Sequence, residues 1–209
     1  MDFKEYLDKV INVAEEPEDL EYKLIGMLWP HPEHFPVKLM SLGGRKTSIV
    51  KLPKLHDNKR GFLVPIITFD KELFVGQEHI TDIILPSSLR TIPEAGLAGL
   101  KNLKRITIPR GVRTIFQRTF ESCVNLEDVY YEGSEEEWDE INIIHEGYRV
   151  ANPEHLGLYC NIERYDIPGN EPLFSANIHF NCSTEDVSNV GLAIRMGNKD
   201  VTNLFTMQD

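Results

Sequence analysis

The chain has 209 residues, 33 of them acidic against 22 basic, for a formal net charge of −11 at pH 7. That balance argues against a general nucleic-acid or anionic-membrane binder, and no run approaches the roughly 18 apolar residues needed to cross a bilayer. Hydrophobic content of 41% and charged content of 26% suit a globular protein of one large domain or two small ones. Cys123, Cys160 and Cys182 are too few and too scattered for a disulfide framework.

The opening MDFKEYLDKVINVAEEPEDL alternates charged with apolar residues and has no continuous apolar run, so it does not read as a signal peptide. With the cysteine usage, this sets the expectation of a reduced, cytoplasmic protein. DFKEYLDKVINVAEE predicts an amphipathic helix with Phe3, Tyr6, Leu7, Val10 and Val13 on one stripe. LEYKLIGMLW predicts a second helix, ended by the prolines of WPHPEHFP. Together they are expected to form a cap over the open N-terminal end of the remaining chain. His31, Glu33 and His34 are metal-ligand types, but a zincin needs its histidines four apart on a helix, and prolines break this segment. It reads as a proline-rich surface turn. Gly43-Gly44-Arg45-Lys46 reads equally as a flexible turn or as a loop that meets an anion.

From residue 85 the chain repeats itself. LPSSLRTIPEAGLAGLKNL is followed by IPRGVRTIFQRTFESCVNL at an offset of 23 residues, which lays Pro86 on Pro109, Leu89 on Val112, Ile92 on Ile115, Leu97 on Phe120 and Leu103 on Leu126. Arg90 on Arg113, Thr91 on Thr114 and Asn102 on Asn125 repeat as well. One step earlier stand Ile66, Phe69, Phe74 and Ile80, the second half of a further copy; SIVKLP (48–53) is a candidate first half, with HDNKRGFLVP as an inserted loop.

Such a period signals a solenoid, whose units bury their apolar faces only by stacking. ITDIIL (80–85), LKRITI (103–108) and LEDVYY (126–131) are the strand patterns, apolar at their first, fourth and sixth residues. Ile80, Leu103 and Leu126 should stack, as should Ile83, Ile106 and Val129, and Leu85, Ile108 and Tyr131. Pro86 and Pro109 end the strands because proline gives no N–H to a ladder. Asn102 and Asn125 stand where an amide can satisfy turn backbone and recur up the stack. Cys123 takes the repeat position of Leu100, hence a core role rather than a nucleophile's.

ILPSSLRTIPEAGLAGLKNL and ITIPRGVRTIFQRTFESCVNL, with their Ile-Pro, apolar-Arg-Thr-Ile, small-or-Cys and Asn-Leu marks, resemble the BspA-type leucine-rich-repeat family. YYEGSEEEWDEINI (130–143) is similar to the segment that closes such arrays, and GNEPLFSANIHFN (169–181) to the final strand that comes after it. Here residues 144–168 intervene, which implies an elaborated C-terminal cap. The resemblance covers about residues 64–181. Within it, Ser134 and Glu137 fit a capping box opening a helix that carries Trp138 and Ile141. VGLAIRMGNKDVTNLF, near the end, has the alternation of a strand and turn.

The expected fold is thus α/β: a short leucine-rich-repeat solenoid, a parallel strand stack with a helical N-terminal cap and an elaborated C-terminal cap. Its parts are 1–45 (cap), 46–143 (repeats) and 144–209 (insertion, terminal strand and cap). No GxSxG, GxGxxG, P-loop or CxxC is present, so no enzyme, cofactor or metal is expected. An enzyme built on His145, Tyr148, His155 and Tyr159 of the insertion has no motif behind it.

The favoured site is the outward strand face, with Asp82, Arg105 and Asp128 in one row and Ile84, Thr107 and Tyr130 beside it. Arg90 and Arg113, one repeat apart, are expected to add a pair of like charges that an anion or a carboxylate would bridge. Residues 85–118 hold seven basic side chains against Glu94 alone, whereas 121–148 hold ten acids and no Lys or Arg, so mutual neutralisation explains part of this charge. The resemblance implies protein contact. The expected partner is a protein or peptide, with no nucleic acid and no membrane span. The rival reading is a structural protein whose copies join end to end as a homo-oligomer.

Overall fold

The computed structural model describes residues 3–6, 21–24, 37–42, 47–57, 63–150 and 162–183. Several expectations lie outside these residues: Leu7, Val10 and Val13, the His31–His34 turn, residues 43–46, His155, Tyr159, Cys160 and the segment from residue 190.

The repeats build two parallel sheets. The larger has five strands, in the order β14 (Asn177–His179), β10 (Asp128–Tyr131), β8 (Arg105–Ile108), β6 (Asp82–Ile84) and β3 (Ile49–Lys51). Its register is set by the 23-residue offset, with Ile83 opposite Ile106 and Ile106 opposite Val129. Val50 and Ile178 extend that row at its two ends. The smaller sheet stacks β7 (Thr91–Ile92), β9 (Thr114–Ile115) and β11 (Asn142–Ile143). SIVKLP therefore does supply the first strand of the earlier copy.

All three predicted interior stacks are buried, and Leu89, Ile92, Leu97, Val112, Ile115, Phe120 and Cys123 complete the core between the sheets. Burial pushes the Cys123 thiol up to about 12, and its Sγ lies 3.2 Å from the Leu97 carbonyl oxygen. The Asn102 amide donates to the Glu78 carbonyl (2.9 Å) and that of Asn125 to the Lys101 carbonyl (2.6 Å), so the asparagines do recur up the stack as turn ligands.

One backbone device also repeats. Gly76, Gly99 and Ser122, 23 residues apart, all adopt positive φ, at 75°, 81° and 64°. The first two positions are written for the left-handed turn and the third tolerates it. The array closes on α1 (Glu135–Asp139), whose Ser134 and Glu137 form the predicted capping box and whose Trp138 is buried against the core.

Three expectations change. Residues 21–24 are not helical: Glu21–Leu24 is a strand, β1, antiparallel to β2 (Val37–Ser41). Backbone pairing overrides a helical reading of the Leu-Glu-Tyr-Lys pattern. HDNKRGFLVP is not merely a loop, because β4 (Leu55–Asp57) and β5 (Leu63–Phe69) pair antiparallel around it, and β5 runs parallel to β2. The insertion likewise carries a hairpin of β12 (Glu146–Val150) and β13 (Ile162–Asp166).

Behind the insertion stands Asn170, at the start of α2 (Glu171–Ser175). Its side chain is buried, donating to the carbonyls of Phe116 (3.1 Å) and Ile144 (3.2 Å) and accepting from the Phe120 N–H (3.3 Å). One amide thus ties the terminal segment to the last repeat.

Candidate functional site

The five-stranded sheet has a second face, turned away from the core. Its register lines up two rows: Ile49, Asp82, Arg105, Asp128 and Asn177, then Lys51, Ile84, Thr107, Tyr130 and His179. Six of the eight residues singled out in sequence are therefore brought together. Arg90 and Arg113 are not. They stand exposed immediately before β7 and β9, at the corner leading to the smaller sheet. The Arg90 guanidinium donates to the carbonyls of Ser87 (3.1 Å) and Leu89 (3.0 Å). It also lies over Gly111, where a Cβ would fall 2.1 Å from its Nη1.

The six do not form an exposed strip. Asp82, Ile84, Thr107 and Tyr130 are each 2% exposed or less, and Arg105 and Asp128 are half-buried. Among the described residues, the first helical turn of the chain, residues 3–6, lies over Ile84, Arg105 and Tyr130. Tyr6 stacks on Tyr130 with ring centroids 4.7 Å apart, and Phe3 tilts against the same ring at 5.0 Å. His179 stacks on Tyr130 at 4.9 Å. Phe3, Tyr6 and Tyr130, with Ile84, Cys182 and Ile49, form a second apolar cluster, separate from the main core. Phe3 and Tyr6 therefore do not cap the open end of the array, as their apolar stripe suggested; they lie across its strand face. An apolar stripe buries itself against the nearest apolar surface, and Ile84 and Tyr130 supply that surface.

The charges beneath are paired. Arg105 Nε donates to Asp82 Oδ1 (2.5 Å), and the Thr81 hydroxyl donates to Asp82 Oδ2 (2.6 Å). The bond to Asp82 raises the Arg105 pKa, and its guanidinium carbon lies 5.3 Å from the Tyr6 ring centroid, a cation–π arrangement. Asp128 Oδ1 lies 2.8 Å from His179 Nε2. The Asp82–Arg105–Asp128 row is thus split into two pairs, and the histidine comes from the final strand. Burial, then the nearby Asp82 carboxylate, raises the Tyr6 pKa. The Tyr6 and Thr107 hydroxyls are buried close together without a well-aligned hydrogen bond.

Ile49, His179, Cys182, Phe3 and Tyr6 were not read as members of this site. One signal for them was present in the sequence: Ile84 and Tyr130 on an outward row call for apolar cover. Elsewhere, the predicted charge neutralisation is partly realised. The Arg110 guanidinium binds Glu137 through Nε (2.7 Å) and Nη2, and Arg118 Nε donates to Glu121 Oε2 (2.9 Å). His145 Nδ1 lies 2.9 Å from the Ile143 carbonyl oxygen and its ring packs edge-on to Phe174. Among the described residues, no group of three or more His, Cys, Asp or Glu side chains could hold a metal, and no helix is long and apolar enough to cross a membrane.

No curated protein matches the chain. Among solved structures, it resembles a leucine-rich-repeat protein of T. pallidum at 25% identity, with 56% of this chain and 53% of that one covered and a TM-score of 0.45. A leucine-rich-repeat protein from Bacteroides ovatus ATCC 8483 matches at 21% identity, over 55% of this chain and 30% of that one, also with a TM-score of 0.45. A leucine-rich cell surface protein from Faecalibacterium prausnitzii A2-165 matches at 21% identity, over 46% and 29%, with a TM-score of 0.36. The matched part spans about half or less of each of these proteins. Residues 62–142 match the family model described as a BspA type leucine-rich-repeat region in 6 copies. With the 23-residue register seen in both sheets, this chain carries a BspA-type leucine-rich-repeat region.

Proposed function

We propose that the protein is a non-catalytic binding module that recognises a protein or peptide on the outer face of its five-stranded sheet. The observation that carries this reading is the composition of that face. Its two rows mix apolar, aromatic and charged side chains across five strands, and a short helical turn already rests on them through two aromatic rings. Solenoids commonly use such extended sheet surfaces to grip another chain. In this reading Asp82, Ile84, Arg105, Thr107, Asp128 and Tyr130 form the contact surface. Arg90 and Arg113 stand outside it, and the protein acts as an adaptor in the cytoplasm.

A second reading is self-assembly, favoured by the two edge strands, β3 and β14, that end the five-stranded sheet. The test compares wild type with Ile84→Asp and Tyr130→Ala variants, after circular dichroism has shown all three to be folded. Each serves as bait in lysate of the source organism, and its mass in solution is followed from micromolar to millimolar concentration. A protein held by wild type and lost by both variants supports the binding module. A mass that grows with concentration, with no foreign protein retained, supports self-assembly instead.

A further inference from the structure

Residues 3–6 occupy the face to which the binding reading assigns the partner. Resting on that reading, we propose that this segment is a built-in, displaceable ligand, and that the partner is a helical peptide segment presenting two aromatic side chains three residues apart, as Phe3 and Tyr6 do.

Three observations carry the proposal. The contact has its own cluster: the two aromatic side chains of the turn meet Tyr130, and this apolar cluster is separate from the core that holds the solenoid together. Displacing it leaves that core intact. The fit is specific: the Tyr6 ring meets both the Tyr130 ring and the Arg105 guanidinium, with the Asp82 carboxylate nearby. A partner must therefore bring an aromatic ring to that slot, where an aliphatic side chain would forfeit both the stacking and the cation–π contact. The fit is also incomplete, because the hydroxyls of Tyr6 and Thr107 are buried without well-aligned hydrogen bonds. An incoming segment that offers Thr107 an acceptor would gain what the resident turn leaves unmade.

A tethered segment competes at high effective concentration, so an outside ligand sees only the open fraction of molecules. Weakening the resident turn should tighten binding from outside without altering the face. The probe is a synthetic peptide of residues 1–16, MDFKEYLDKVINVAEE, carrying a C-terminal fluorophore. Its anisotropy is titrated with three full-length proteins: wild type, Phe3→Ala/Tyr6→Ala, and that double variant with Tyr130→Ala added. The double variant should bind at least about tenfold more tightly than wild type, and the added Tyr130→Ala should remove the gain. A peptide with both aromatics replaced by leucine should bind none of them.

A second measurement needs no substitution. In wild-type protein labelled with nitrogen-15, the amide signal of Tyr6 should move to a random-coil position as unlabelled peptide saturates the face. Equal peptide binding by wild type and the double variant would overturn the proposal, as would a Tyr6 signal unmoved at saturating peptide. A wild-type dimer that the peptide converts to monomer would assign the turn to a second copy and overturn the tethered form. A double variant that ignores the peptide but still captures a lysate protein, lost with Tyr130→Ala, would keep the binding reading and sink this inference alone.

Discussion

The two faces of the five-stranded sheet obey different rules. On the inner face the repeat is chemical as well as geometric: Val50, Ile83, Ile106, Val129 and Ile178 stand in register, and each is a branched aliphatic residue packed against the next. On the outer face only the geometry repeats. Asp82 is followed by Arg105 and then Asp128, and Ile84 by Thr107 and then Tyr130, so every position has its own partner. Inner residues answer to like copies one repeat away, whereas outer residues answer to unlike partners: Asp82 to Arg105 within the array, and Asp128 and Tyr130 to His179 and residues 3–6 outside it. Broken periodicity on a solenoid face therefore marks where something non-repetitive docks.

The inner face should be the costlier to break. Ile106→Ala opens a cavity at the centre of the row and should destabilise the fold by about 3–4 kcal/mol, read by urea unfolding. If the loss is below about 1 kcal/mol, the inner rows are not the cooperative core inferred here. On the outer face, Arg105→Ala strips Asp82 of its charged partner while the carboxylate stays buried. A fully buried pair would lose about 3–5 kcal/mol. Because Arg105 is partly exposed, the expected loss is about 2 kcal/mol, and the double change Asp82→Asn/Arg105→Met should recover most of it. Failure of the double change to recover stability would mean that the cost comes from Tyr6 losing its cation, not from the stranded carboxylate.

Smaller effects sharpen the comparison at the turns and at an ordinary pair. Ser122 holds the left-handed backbone that glycine holds at 76 and 99, and a Cβ at either glycine would meet nothing within 4 Å. Backbone conformation alone separates the three positions. Ser122→Gly should raise stability by up to about 1 kcal/mol, and Gly99→Ser should lower it by a similar amount, both visible as shifts in Tm. The smallest effect belongs to Asp70, whose Oδ2 lies 2.6 Å from Lys38 Nζ. The Lys38 hydrogen bond, then the Glu72 N–H, lowers its pKa in the folded protein. A carboxylate depressed on folding contributes stability above its unfolded pKa of about 3.9, and that contribution disappears as pH falls through the lower folded value. Asp70→Asn should therefore cost a little at pH 7 and progressively less as the pH falls below the unfolded value. A cost that persists in acid would show the side chain acting through packing.

The cover over Ile84 and Tyr130 shows where reading the sequence stopped. Alternation assigned both residues to the outward row correctly, yet alternation says only which way a side chain points, not what meets it. The amphipathic stripe was legible in Phe3 and Tyr6, but the surface receiving it lies at residue 130, and no local period spans that separation. Glu21–Leu24 failed for a related reason. A strand of four residues is decided by the neighbour that supplies its hydrogen bonds, here β2, more than by its own pattern. Asn170 left no local mark at all, because its three partners come from residues 116, 120 and 144.

By itself, then, the sequence determined one local motif, the capping box at Ser134, and what recurs: the 23-residue register, the apolar stacks, the asparagine turns and the core position of Cys123. Repetition makes each such contact local to the next copy, so one alignment of the chain with itself contains it. Only the tertiary structure decided what happens once. It laid the first helical turn across the strand face, paired Asp128 with His179, turned the Arg90 charge toward backbone carbonyls and anchored the insertion through Asn170. These contacts join residues far apart in the chain, and their partners are selected by shape, charge and burial in the folded molecule, which no period in the sequence encodes.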